Sequence, residues 1–159
     1  MGPLEEHLRE EALIIRSLDN LFIATWFDVP SVALLEHLED IERRQKKRFP
    51  SGLGFANVIV GGGLPRFDSE LLAKVKAMSV ADDELDLVTT HCILMEGLAA
   101  SAVRAFLSTA VLMSRPQVPL KVCSNLAQAG LFMAGPMNTK DCTWTAARAR
   151  SALERAQRR

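Results

Sequence analysis

The chain has 159 residues, 48% of them hydrophobic and 24% charged, and its formal net charge is zero. This length fits one domain that buries roughly 70% of its unfolded surface, and the composition excludes whole-chain disorder. Zero net charge excludes a global field that would draw the protein to nucleic acid or to an anionic membrane.

Residues 1–11 read as a polar, helix-tolerant segment carrying Glu5, Glu6, Glu10 and Glu11. Ala12-Leu13-Ile14-Ile15 and Leu21–Phe27 read as two strands, joined at Asp19-Asn20, a pair suited to a tight turn. Ser31 is predicted to cap a helix to about Arg48, with Leu34, Leu35, Leu38 and Ile41 along one face. The basic end of that helix, Arg43-Arg44-Gln45-Lys46-Lys47-Arg48, is expected to complement the helix dipole and face water; a phosphate-binding patch is the alternative.

Phe55–Val60, bounded by glycines, predicts a buried strand, and Gly61-Gly62-Gly63-Leu64-Pro65-Arg66 a flexible turn after it. Asp68 caps a helix through about Val80, with Leu71, Leu72, Val75 and Met78 inward. A strand over Leu85–Leu94, an apolar helix over Ala99–Met113 and a last strand at Leu120–Cys123 follow. Ser124 or Asn125 opens a helix over Leu126–Met133, Gly135-Pro136 breaks the chain, and Asp141 or Thr143 starts a basic C-terminal helix. Trp144, Ala147 and Leu153 form a narrow apolar stripe on that helix, opposite its arginines. Those arginines (Arg148, Arg150, Arg155, Arg158, Arg159) can pair with the acidic start, within one chain or between two.

The predicted class is therefore α/β, a mostly parallel sheet with an antiparallel edge hairpin, in the order β-β-α-β-α-β-α-β-α plus a C-terminal helix. The α/β domain is expected to span residues 12–134, between the polar segment 1–11 and a linker and basic helix at 135–159.

The motifs argue against chemistry. The glycine loop lacks the Gly-Lys-Ser/Thr ending of a phosphate loop and the offsets of a dinucleotide fingerprint. His91 and Cys92 are neighbours on a predicted strand, so they point to opposite faces and form no catalytic or metal-binding pair. His7 and His37 are expected at the surface. Cys92, Cys123 and Cys142 are too widely spaced for a zinc site and read as reduced thiols of a cytoplasmic protein. No signal segment is visible and no apolar run approaches the ~20 residues of a spanning helix. No catalytic residue, no cofactor and no metal is expected; an enzyme using Cys92 or Cys123 is the alternative.

The order and lengths of the elements over residues 12–133, with Phe67-Asp68-Ser69-Glu70-Leu71 at a helix start, resemble the STAS domains of bacterial anti-sigma-factor antagonists and SpoIIAA-like proteins. In that family the corresponding helix starts with Asp-Ser-Ser-Gly, and a partner kinase phosphorylates the second serine. Asp68 and Ser69 match, whereas Glu70 stands at the phosphorylated position and Leu71 at the glycine. The resemblance implies a non-catalytic regulatory module that binds another protein, a regulator or kinase-like partner; a homodimer is a further option, and the charge balance points to neither nucleic acid nor membrane. Arg66, Asp68, Ser69, Glu70 and Ser31 are the expected contact residues; plain helix capping is the alternative reading of Asp68, Ser69 and Glu70. A second function, binding of a small apolar ligand or lipid, requires a cavity lined by side chains such as Phe22, Trp26, Phe55, Phe106 and Met113.

Overall fold

Glu5–Arg9 forms an edge strand, β1, where the sequence predicts a polar segment with helical tendency. β1 runs antiparallel to β2 (Leu13–Leu18), with an irregularity between Glu6 and Leu8. The acids suit this position because the neighbouring strand and helix supply their partners. Glu6 takes Arg9 and Arg16, Glu5 takes Arg48, and His7 Nε2 hydrogen-bonds Ser17 Oγ at 2.7 Å. His7 is thus partly buried rather than a surface group. A charged, irregular strand also blunts an edge that the apolar β2 would otherwise leave open for pairing.

The computed structural model describes residues 2–62, 69–80, 84–114 and 117–159. After β2 come β3 (Leu21–Trp26), α1 (Val32–Arg48), β4 (Leu53–Ile59), α2 (Ser69–Val80), β5 (Asp86–Ile93), α3 (Gly97–Ser114), β6 (Leu120–Cys123), α4 (Leu126–Ala134) and α5 (Ala146–Ala156). The protein is α/β, and its strands lie side by side in chain order. β1 to β3 are antiparallel and β3 to β6 parallel. The β2–β3 turn is the expected Asp19-Asn20, with Asp19 in the left-handed region at φ 49°. Each parallel crossover steps to the next strand in the same direction, so crossovers of one hand place α1, α2 and α3 on one face. α4 and α5 turn back over the other.

The two faces fill differently. On the α4–α5 face, Leu21, Ile23, Ala56, Val58, Val88 and Cys92 pack against Met133, Trp144, Ala149, Ala152, Leu153 and Ala156. The buried stripe of α5 is therefore Ala149-Ala152-Leu153-Ala156, and Ala147 is exposed. Thr145, not Asp141 or Thr143, caps this helix, accepting from Arg148 N with its side chain. Asn20 ties the hairpin to this layer: its Nδ2 donates to Gly52 O (3.2 Å) and Met137 O (3.0 Å), and its Oδ1 accepts from Trp144 Nε1 (2.7 Å).

The two ends of the chain do meet, but through backbone carbonyls. Arg155 donates to Gly2 O and Arg159 to Glu11 O, each at 3.2 Å, while Arg16 donates to Ala156 O and Arg158 O at 2.7 Å. On the other face Phe22, Ala24 and Trp26 meet Leu35, Leu38 and Ile41 of α1.

Candidate functional site

β4 and β5 present Phe55, Asn57, Thr89 and His91 toward the α1–α3 layer, since alternate residues of a strand share a face. α1 seats on the side of β2 and β3, and α3 on β5 and β6. α2 rests on α1 and α3, fastened by the Lys74–Glu39 ion pair, with Leu71, Val75 and Met78 turned inward. The three helices and the sheet line a partly open cavity of about 380 Å³. Its walls are Leu35 and Leu38 of α1, the three inward residues of α2, and Val103, Phe106 and Ala110 of α3.

One rim, at the C-terminal ends of β3 and β4, is formed by Asp28, Val29, Pro30, Gly61 and Gly62. Ligands of parallel α/β sheets commonly sit at these strand ends. The glycines serve close packing there. A Cβ on Gly61 would come 3.1 Å from Phe27 O, and one on Gly62, which sits at φ 121°, would come 3.3 Å from Asp28 C and Val29 N.

The other end is charged. Lys46 Nζ lies 3.1 Å from Glu42 and 2.7 Å from Asp86. Burial pushes the Glu42 carboxyl up, against the pull of Lys46. Burial also draws the Lys46 ammonium down, but Glu42 and Asp86 outweigh it and hold it above its ordinary value. Arg43, Arg44, Lys47 and Arg48 of the basic end of α1 are exposed as expected, whereas Lys46 lines the cavity and Gln45 is buried.

Three side chains form a polar line in the cavity floor. Trp26 Nε1 donates to Asn57 Oδ1 at 2.6 Å, and Asn57 Nδ2 stands 3.1 Å from His91 Nδ1. Burial lowers the His91 pKa to about 4, so its ring is neutral at pH 7. Cys92 faces the opposite side of the sheet, as strand alternation requires, and sits in the α4–α5 core. Burial and, second, the neighbouring Cys123 push its thiol up to about 12, which leaves no thiolate for nucleophilic work at neutral pH. All three cysteines are free and buried.

Of the residues expected to bind a partner, Ser31, Ser69 and Glu70 are described. Ser31 caps α1, its Oγ accepting from Leu34 N at 3.2 Å. Ser69 and Glu70 are exposed at the start of α2. Arg66 and Asp68 lie outside the described residues. Of the side chains expected around a cavity, Trp26, Phe55 and Phe106 line it. Phe22 instead packs against Phe55, ring centres 5.7 Å apart, as fully buried core, and the Met113 side chain lies outside the described residues.

Sequence reasoning missed Asn57 and Lys46. A polar Asn in the middle of Phe55-Ala56-Asn57-Val58-Ile59 was the signal available for the first, since a buried amide needs partners.

No family model matches the chain, and neither a curated protein nor a solved structure does. The functional reading therefore rests on the geometry of the cavity. Among the described residues no group of three or more His, Cys, Asp or Glu is placed to hold a metal ion, and no helix is long and apolar enough to cross a membrane.

Proposed function

We propose that the protein binds a small, largely apolar molecule in the cavity between the sheet and α1–α3. The observation that carries this reading is the cavity of about 380 Å³, walled by aliphatic and aromatic side chains with a few converging polar groups. Ligand sites have this size and character. The space is more than twice the ~150 Å³ of an apolar cavity that accepts benzene. Against the apolar part of these walls a ligand gains about 25 cal/mol for each Å² of apolar surface it removes from water.

N-phenyl-1-naphthylamine, an uncharged apolar dye that brightens on leaving water, tests the reading. Its fluorescence should saturate at one dye per chain. Ala110→Trp, which fills the cavity from α3, should abolish binding while the circular dichroism spectrum stays unchanged. Dye binding that is absent in the wild type, or equal in both proteins, overturns the reading.

A second reading is the non-catalytic regulatory module implied by the STAS resemblance, contacting another protein. In its favour, Ser69 and Glu70 are exposed at the start of α2, the helix that roofs the cavity. Affinity purification from cell extract, with wild type beside Glu70→Lys, should then show one protein retained by the first and lost from the second. The same proteins retained by both would exclude that surface.

A further inference from the structure

We infer that the cavity selects an uncharged apolar molecule bearing one acceptor oxygen, such as a ketone or ester carbonyl, which takes a hydrogen bond from Nε2 of His91. The inference rests on the apolar-ligand reading and names the ligand's chemical class.

The indole N–H of Trp26 only donates, so the Asn57 atom it meets at 2.6 Å is the amide oxygen, and the orientation of that amide follows. The NH₂ group of Asn57 then faces His91 Nδ1 at 3.1 Å. That group only donates, so Nδ1 accepts and carries no proton. A neutral imidazole with a bare Nδ1 bears its hydrogen on Nε2. Burial keeps the ring neutral, so only one of its two nitrogens carries a hydrogen.

Nε2 has no hydrogen-bond partner among the described residues, yet it is not sealed within protein. The only buried side-chain nitrogen or oxygen found there without a partner is Gln45 Oε1. His91 lines the cavity, so its Nε2–H is a donor presented to whatever occupies that space. The register places His91 beside Asn57 on β4 and Val122 on β6, which holds the donor on a rigid sheet.

The charges around the cavity select against an acid. Asp28, Glu39, Glu42 and Asp86 line it against Arg43 and Lys46. Both cations are already engaged, Arg43 by Asp40 and Lys46 by Glu42 and Asp86. Even with Glu39 held by Lys74, the described residues leave a ligand carboxylate facing an excess of like charge, whereas a carbonyl oxygen carries none.

Three compounds of similar size separate the possibilities by displacement of N-phenyl-1-naphthylamine: butylbenzene, butyrophenone and 4-phenylbutanoate. On the wild type, butyrophenone should displace the dye better than 4-phenylbutanoate does. In His91→Leu the affinity ratio of butyrophenone to butylbenzene should fall about fivefold, the worth of one net hydrogen bond. An unchanged ratio, or a preference for the carboxylate, overturns the inference. So does failure of all three to displace a dye that binds, and that result leaves the apolar-ligand reading standing. If the dye itself does not bind, that reading falls and the inference with it. A measurement on the wild type needs no variant: ¹⁵N–¹H spectra of the imidazoles should place the His91 proton on Nε2, and that nitrogen should shift on adding butyrophenone but not butylbenzene. A proton found on Nδ1 overturns the inference.

Discussion

His91 and Cys92 follow one another on β5 and experience different surroundings, because a strand sends successive side chains to opposite faces. This separation is legible from the sequence. The partner of His91 is not, since Asn57 lies on another strand and meets it only through the parallel register of β4 and β5. The consequence for stability can be measured. The ordinary histidine value is 6.5 and the folded value about 4, so between them the unfolded chain binds a proton that the folded chain refuses. The contribution of His91 is fully present above pH 6.5 and drains away as pH falls toward 4, by about 3 kcal/mol in all. Urea unfolding at steps between pH 7 and pH 4 should show this loss, and His91→Gln should flatten the slope. Equal slopes in both proteins would mean that the ring takes up its proton without cost.

At the scale of elements, hydrophobic runs and capping residues carried most of the information. Leu120–Cys123 is the strand that the sequence predicts, and Ser31 and Asn125 both cap with their side chains. β1 was hidden because its acids satisfy the rules for a helix start, and only the edge of β2 and the arginines around it favour an extended chain. The face that α5 buries differs from the Trp144-Ala147-Leu153 stripe for a related reason. The helix begins one residue after Thr145, and that phase sets which alanines turn inward. α5 also depends on a glycine of its neighbour: a Cβ on Gly130 of α4 would lie 2.8 Å from Ala146 O and from Arg150 N. Gly130→Ala should therefore force the two helices apart and cost about 1–3 kcal/mol, the usual penalty of overpacking. A urea midpoint equal to that of the wild type would show that the helices part freely there.

For the whole molecule, the two faces of one sheet have separate tasks. The α4–α5 face is closed by small side chains, Ala149, Ala152 and Ala156, that let helix and sheet approach, and it carries the main buried cluster. The α1–α3 face is spanned by three crossovers running the same way, with α2 carried on its neighbours, and it holds the partly open cavity. By itself the sequence determined the class of the fold, the types of nearly all its elements, the hairpin turn and the opposite exposures of His91 and Cys92. Each of these follows from residues close together in the chain, through periodicity, turn chemistry and capping. The tertiary structure alone decided that Glu5–Arg9 pairs as a strand, that Trp26, Asn57 and His91 align, and that Leu35, Val75 and Phe106 stand around a common space. A hydrogen-bond partner and a cavity depend on distances between elements tens of residues apart, which appear only when the elements pack.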